Sequence, residues 1–223
     1  MTSKVKKKLS GIVLAAGFSS RMNLWKMELV IKGRPLLFYT LRPMLEVCDE
    51  IVVVGGFNIG RLSALIDEIC RLDRISREKI KLVENEEFPK GMFSSVKKGL
   101  GEVDHGCEGI FIMPGDVPFV KAGTYKKLLE MLESESGREV IFPGTLISME
   151  EGNLRLKKGH PVLISGNIRS AILLNRSDAI FRDVLRPFSS GICQVEDEGI
   201  CFDVDDEKGL KKALLYVENS YKY

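Results

Sequence analysis

The fold is decided by a short apolar run that ends in small residues and two cations: Ile12-Val13-Leu14-Ala15-Ala16-Gly17-Phe18-Ser19-Ser20-Arg21-Met22, with Lys26 four residues further on. The run predicts a buried strand over Ile12–Ala16 that leads into a flexible loop. Small residues let a loop approach a ligand closely, and successive loop N–H groups can point at phosphate oxygens. Arg21 and Lys26 can then neutralise the phosphate charge. The alternative is a strand-to-helix turn with two solvated cations.

The loop matches neither of the two commoner phosphate-binding patterns. A G-x-x-x-x-G-K-[ST] motif is missing from it, which excludes a P-loop, and the G-x-G-x-x-G spacing of dinucleotide sites is absent as well. A phosphate site built on this loop must therefore belong to another class.

Composition and charge exclude several kinds of partner. The chain has 223 residues, of which 44% are hydrophobic and 29% charged, which is ordinary for a globular domain. Its formal net charge is +2, and four lysines in the first eight residues outweigh that value, so the remainder is slightly acidic. We predict a basic tail over residues 1–9, one domain over residues 10–223, and no nucleic-acid partner.

The cysteines and the apolar segments bear on metal sites and location. The five cysteines are scattered with no C-x-x-C, so neither zinc nor a disulfide framework is indicated. No apolar run approaches the roughly 18–20 residues of a membrane span, and none behind the lysine tail resembles a signal-peptide core. We expect a cytoplasmic protein with no membrane partner.

Strand-like and helix-like segments alternate along the chain, which predicts an α/β fold with a mostly parallel sheet and helices on both faces. The predicted strands after the first are Ile51–Val54, Lys81–Glu84, Ile110–Met113 and Val140–Phe142. The predicted helices are Pro35–Val47 with a kink or break at Pro43, Arg61–Leu72, Val96–Leu100, Tyr125–Leu132, Ile168–Leu174, Ala179–Leu185 and a last helix from Glu207 towards Glu218. Gly144–Lys158 is polar, and we expect an irregular excursion over the substrate side.

A carboxylate follows the apolar segment Gly109–Gly115. Ligands of open parallel sheets lie beyond the carboxyl ends of the strands, so Asp116 is expected near Gly17. Mg²⁺ needs only one or two protein carboxylates besides phosphate oxygens and waters, and Asp116 can supply one. An aspartate that caps the next helix is an equally good interpretation of the spacing.

Three further motifs have both a structural and a functional interpretation. Ser94 and Ser95 follow Gly91 and can cap a helix or contact a base. Gly159-His160-Pro161 follows Lys157 and Lys158, and a lone histidine is more often a structural group than a catalyst; the two lysines can be solvated or attract an anionic phosphate. Asp203 and Asp205 precede a helix, where acidic residues stabilise the first turn.

Five motifs in order along the chain resemble the nucleotidyltransferases with a Rossmann-like fold, and within them the molybdenum cofactor cytidylyltransferases. The first loop resembles L-A-A-G-x-S-x-R-M-G-x-x-K, with Asn23 in place of glycine. Gly91–Leu100 resembles G-M-x-S-S-x-x-x-G-L, Met113–Pro118 resembles L-P-G-D-x-P, and Gly159-His160-Pro161 resembles the motif that faces the pterin. Of D-[IV]-D-T-P-E-D-L only Asp203 and Asp205 are present.

The resemblance implies a single-domain, three-layer α/β/α fold and a set of site residues. It implies catalytic roles for Arg21, Lys26 and Asp116, and Mg²⁺, with Mn²⁺ as an alternative, on Asp116 together with Asp203 or Asp205, and the sequence does not settle which of these two binds the metal. The implied nucleotide contacts are Leu14, Ala15, Ala16, Gly17, Ser19, Arg21, Lys26, Asn85, Gly91, Ser94, Ser95, Pro114 and Gly115. The implied substrate contacts are Gly159, His160 and Pro161.

The resemblance also implies a reaction. A phosphate of molybdenum-loaded molybdopterin attacks the α-phosphorus of CTP, pyrophosphate leaves, and the product passes to a molybdenum hydroxylase or its chaperone. Ala16 favours CTP, because the guanylyl branch has Leu-Ala-Gly-Gly and a Cβ here narrows the base pocket. Guanylyl transfer, nucleotidyl transfer to methylerythritol phosphate or sugar phosphates, and a nucleotide-binding accessory factor without turnover remain alternatives.

Overall fold

The computed structural model describes residues 8–17, 25–135, 137–148 and 153–220. Its strands are β1 Leu9–Leu14, β2 Val30–Ile31, β3 Arg34–Pro35, β4 Glu50–Gly55, β5 Ile80–Glu84, β6 Gly109–Pro114, β7 Val140–Ser148, β8 Leu154–Lys158, β9 Val162–Ser165 and β10 Ser190–Gln194. Its α-helices are α1 Leu36–Leu45, α2 Ile59–Asp73, α3 Met92–Glu102, α4 Ala122–Ser134, α5 Arg169–Leu173, α6 Phe181–Leu185 and α7 Glu207–Ser220.

The central sheet is mostly parallel, as predicted. Its order is β10-β7-β9-β6-β1-β4-β5, and β8 pairs with β7 outside this path. β1 lies between β4 and β6 and is parallel to both, so that Ile12 is opposite Val52 on one side and Ile112 on the other. β9 is antiparallel to both β6 and β7, and β8 is antiparallel to β7. β2 and β3 form a separate two-stranded ribbon.

Two apolar cores lie on opposite faces of this sheet, because successive side chains of a strand point to opposite sides. Val13 belongs to the core that α1, α2, α4 and α7 cover. Its neighbour Ile12 belongs to the core that α3, α5 and α6 cover. The fold is therefore a single α/β domain with helices on both faces of the sheet, and the predicted fold class is confirmed.

The predicted boundaries of the first strand and the first helix differ from the observed ones. β1 ends at Leu14, and Ala15 follows in a loop whose N–H donates to the Val54 carbonyl over 2.8 Å. The helix predicted to kink or break at Pro43 runs on to Leu45. Pro43 lies in its last turn, so its missing N–H removes one hydrogen bond, to the Tyr39 carbonyl, and the helix ends two residues later.

The prediction for Gly144–Lys158 was wrong. Its first residues extend β7 to Ser148, and its last residues form β8, which pairs with β7 so that Leu146 lies opposite Leu156. The pattern Leu154-Arg155-Leu156-Lys157 alternates apolar and charged residues, which is typical of a half-exposed strand. The other residues of Gly144–Lys158 are mostly polar, which makes this short alternation hard to recognise in the sequence. Both lysines of the Gly-His-Pro segment therefore lie on a strand.

Among the described helices none is long and apolar enough to cross a membrane.

Gly99 allows α3 to approach the sheet closely. A Cβ on Gly99 would lie 2.5 Å from Cγ2 of Ile12 in β1, whereas a Cβ on Gly101 in the same helix would meet no atom within 4 Å. Gly99→Ala should therefore destabilise the protein by about 1–3 kcal/mol through overpacking. Gly101→Ala, the matched control, should change stability by less than about 1 kcal/mol. Urea denaturation midpoints measure both, and equal midpoints for the two variants would contradict this account.

Candidate active site

The loops after β1 and β6 meet at the carboxyl-terminal edge of the sheet. Because β1 and β6 are parallel neighbours, their ends lie side by side, and the Gly115 N–H donates to the Leu14 carbonyl over 2.9 Å. A Cβ on Gly115 would lie 3.0 Å from that carbonyl oxygen and 2.9 Å from Sδ of Met27. Gly17 and Asp116 therefore lie at the same edge of the sheet, as the sequence predicted.

A cavity of about 290 Å³ opens between these loops. Several predicted nucleotide-binding residues line it, namely Leu14, Ala15, Ala16, Gly17, Lys26, Gly91, Ser95 and Pro114. Asp116 lines it as well. Ser19 and Arg21 lie outside the described residues, as does Asn23, so their predicted roles in the loop stay predictions.

Asn85 and Ser94 do not line this cavity, but they are hydrogen-bonded to each other next to it. Asn85 is buried, and its Nδ2 donates to Oγ of Ser94 over 2.9 Å and to Oγ of Ser95 over 3.0 Å. Ser94 donates in turn to the Gly91 carbonyl over 2.8 Å, so its hydroxyl bonds a carbonyl and does not cap the N–H groups of α3. Of the two serines, only Ser95 lines the cavity. Gly115 is not among the lining residues either.

Lys26 connects two carboxylates at the mouth of the cavity. Its Nζ lies 2.6 Å from Oδ1 of Asp205 and 3.4 Å from Oδ2 of Asp116. The lysine side chain is only 11% exposed, and that of Asp116 is 29% exposed. Burial raises the pKa of the Asp116 carboxyl above its usual value, the Lys26 ammonium lowers it, and the Asp205 carboxylate raises it. A cation at this point stabilises two negative charges that otherwise repel each other.

A second cavity of about 600 Å³ adjoins the first. Met92, Pro114 and Asp116 line both cavities. The residues that line only the second are Val117, Phe142, Lys157, Lys158, Gly159, His160, Val162, Arg182, Ile200, Cys201, Asp203 and Asp205. Two of the three predicted substrate residues, Gly159 and His160, therefore line this cavity, whereas Pro161 does not.

The Gly159-His160 segment is held against the backbone of Ile200. The His160 N–H donates to the Ile200 carbonyl over 2.8 Å, and a Cβ on Gly159 would lie 2.2 Å from the same oxygen, so only glycine fits there. The peptide bond between His160 and Pro161 is cis. Burial lowers the pKa of the His160 imidazole to about 4, and the charge of Asp203 opposes this shift only in part. The imidazole is therefore neutral at physiological pH.

Asp203 and Asp205 face the same cavity. The buried residue between them, Val204, donates its N–H to the Asp116 carbonyl over 3.0 Å, which places this extended segment beside the end of β6. Alternation along an extended segment then directs both aspartates to one side. Asp205 is the one whose carboxylate contacts Lys26.

Two carboxylates of this site suit Mg²⁺. No group of three His, Cys, Asp or Glu side chains in the described part of the chain could hold a metal ion. Asp116 and Asp205, however, already share one cation, the Lys26 ammonium. Mg²⁺ takes one or two protein carboxylates and completes its shell with phosphate oxygens and waters, so this pair suits it. Of the two aspartates between which the sequence leaves the choice open, Asp205 is the one that shares the Lys26 ammonium with Asp116.

Sequence reasoning missed Phe88, Arg182 and Phe142. Phe88 lines the first cavity, and a Cβ on Gly56 would lie 2.6 Å from its ring, so the ring packs tightly on the loop after β4. Arg182 and Phe142 line the second cavity. None of the three lies in a motif with a recognisable spacing, and they reach the site only through the packing of the whole domain.

A mostly parallel sheet with two adjoining cavities and a lysine–carboxylate cluster at its carboxyl edge defines a nucleotide-binding α/β protein. The model of the MobA-like NTP transferase domain matches residues 11–194, and the chain belongs to this family of nucleotidyltransferases.

Individual relatives of similar length have different activities. The molybdenum cofactor cytidylyltransferase of Escherichia coli (strain K12) is 23% identical over 87% of this chain and 89% of its own. The nicotine blue oxidoreductase of Paenarthrobacter nicotinovorans is 28% identical over 92% and 96%. The solved structure of CMP:2-keto-3-deoxy-manno-octonic acid synthetase complexed with CTP superposes with a TM-score of 0.76, at 13% identity, and covers 96% of this chain and 100% of that one. This last likeness concerns the fold alone.

The buried imidazole of His160 should titrate far below the ordinary histidine range. We expect a midpoint near pH 4, compared with the ordinary 6.5. As pH falls through this window the unfolded chain binds the proton first, so the histidine reduces stability there and has no such effect above pH 6.5. Carbon-detected NMR of the ring Cε1–H group measures the midpoint. His160→Asn identifies the resonance, since the chain has only two histidines. A midpoint near 6.5 would contradict the assignment.

Proposed function

We propose that this protein transfers a cytidylyl group from CTP to the phosphate of molybdenum-loaded molybdopterin, with release of pyrophosphate and formation of molybdopterin cytosine dinucleotide. The observation on which the proposal depends is that two cavities meet at one carboxylate, Asp116, beside the Lys26 ammonium. Transfer of a nucleotidyl group from one substrate to another needs adjacent sites that are joined where the reacting atoms meet. The likeness to the E. coli cytidylyltransferase over most of both chains supports the choice of substrates.

In this proposal the smaller cavity takes CTP. Ala15, Ala16 and Gly17 present only small side chains, which allow the triphosphate to approach the backbone. Phe88 and Ala16 both pack where a Cβ on Gly56 would lie, and together they narrow the part of the cavity that receives the base. A pyrimidine fits a narrower slot than a purine, which agrees with the preference for CTP that the loop sequence predicts.

The protein's own residues act mainly by neutralising negative charge where the two cavities meet. The acceptor phosphate is itself the nucleophile, so no covalent enzyme intermediate is needed. Lys26 contributes a buried ammonium where negative charge shifts to the leaving pyrophosphate. Mg²⁺, when held by Asp116 and Asp205, supplies further neutralisation of the phosphates.

The larger cavity takes the acceptor. Its neutral imidazole, His160, offers a hydrogen-bonding group without a charge, because burial keeps the ring unprotonated. Phe142, Val162 and Ile200 supply apolar surface for a planar heterocycle. Handover of the product to a molybdenum hydroxylase or its chaperone remains part of this proposal.

The decisive test measures pyrophosphate release from CTP and from GTP, each with Mg²⁺ and molybdenum-loaded molybdopterin. We expect release with CTP and little with GTP. Release with GTP would assign guanylyl transfer. If neither nucleotide reacts, replacing molybdopterin with methylerythritol phosphate or a sugar phosphate tests the other acceptors. Tight CTP binding without any release would indicate an accessory factor and contradict the proposal.

Asp116→Asn should keep the fold and lower kcat by roughly 10²–10³-fold, because the amide keeps the shape of the side chain and removes the charge that holds the cation. Asp67→Asn is the matched control, since that carboxyl is exposed on α2 and lines neither cavity. Steady-state pyrophosphate assays at several Mg²⁺ concentrations measure the effect, and circular dichroism checks the fold. Normal turnover of Asp116→Asn would exclude this carboxylate from the reaction.

A further inference from the structure

The larger cavity is lined by charges of both signs: the carboxylates of Asp116, Asp203 and Asp205, and the cations Lys157, Lys158 and Arg182. Asp116 and Asp205 lie at the end that joins the smaller cavity, where Lys26 contacts both. Lys158 and Arg182 line the larger cavity and not the smaller one. From this arrangement we infer that the acceptor carries a second anionic group, separate from the phosphate that reacts, and that Lys158 and Arg182 bind it. The inference rests on the proposed function, because it concerns the acceptor of that reaction.

Lys158 is held at the cavity without a carboxylate partner. It is the last residue of β8, and its Nζ lies 4.6 Å from the centre of the Phe142 ring on β7. No carboxylate in the described part of the chain forms an ion pair with Lys158. A cation above an aromatic face is fixed in position while its charge stays uncompensated, so the ammonium can still attract an anion.

Arg182 lines the same cavity and lies on α6. Its Nε lies 3.5 Å from Oδ1 of Asp183, and Nε of Arg186 lies 3.2 Å from the same oxygen. Two guanidinium groups therefore share one carboxylate, and a net positive charge remains. The Arg182 side chain is 77% exposed, so its planar donor groups are accessible to a bidentate anion.

The reacting phosphate cannot be the group that these two cations serve. It must meet CTP where the cavities join, which Asp116 marks by lining both. The cations belong to the part that is not shared, and the apolar side chains of Val162 and Phe142 line the same part. A ligand that satisfies this site has an apolar body, a phosphate near Asp116 and a second negative charge near Lys158 and Arg182.

A pair of fluorescent pterins without phosphate tests this inference. Pterin-6-carboxylate carries a negative charge and 6-hydroxymethylpterin does not, and the binding of both is measured without CTP or Mg²⁺. We expect the wild-type protein to bind the carboxylate about tenfold more tightly, as one charge-assisted contact provides. In Lys158→Gln and Arg182→Gln this preference should fall to about threefold or less. Lys126→Gln, on the exposed face of α4, is the matched control and should keep the preference.

The outcomes separate this inference from the proposed function. Equal affinity of the wild-type protein for the two pterins, binding of neither, or a preference that survives in both variants would overturn it. If molybdopterin is a substrate, the same two variants should raise its KM and leave the KM for CTP unchanged. Failure of pyrophosphate release would refute the proposed function and leave the charge preference measurable, because pterin binding requires no turnover.

Discussion

The ammonium group of Lys26 joins three parts of the chain that lie far apart in sequence, because it contacts Asp116 after β6 and Asp205 before α7. The rest of the site depends on this contact. Asp116 is largely buried, and without a nearby cation its charged form would be strongly disfavoured. The lysine thus keeps two carboxylates close together at the one place that belongs to both cavities.

The sheet explains why the site is there. Parallel strands end at one edge, so the loops after the neighbouring strands β1 and β6 meet there. The two cavities then differ in what surrounds them. The smaller one is lined mainly by loop residues, several of them small, whereas residues of β7, β8 and β9, among them Phe142, Lys158 and Val162, line the larger one.

The sequence predicted those parts of the fold and site that local patterns encode. Ile51–Val54 and Ile110–Met113 are continuous apolar runs, and they became buried parallel strands extended by one residue at each end. Asp116 could be placed because it follows such a strand directly. The β7–β8 hairpin was missed because polar residues interrupt the alternation of apolar and charged side chains. Its pairing also depends on residues that are ten positions apart in the sequence, such as Leu146 and Leu156, which lie opposite each other in the hairpin.

Other features lay beyond local patterns. Arg182 has no motif around it, and it becomes a lining residue only when α6 packs on the core shared with α3. Likewise, nothing in the sequence indicates the contact between Lys26 and Asp205, because strands β2 to β10 lie between these two residues along the chain. Asn85, placed in the nucleotide site by resemblance, proves to orient the two serines from behind the cavity.

The position of Asp205 along the chain also links the site to the core. Every strand of the sheet precedes residue 195, and Asp205 follows all of them. The segment that carries Asp205 also supplies Val204, Ala213 and Val217 to the core on one face of the sheet. Packing of this last segment therefore completes both the apolar layer and the charge arrangement of the site, so the site is complete only in a molecule whose core is closed.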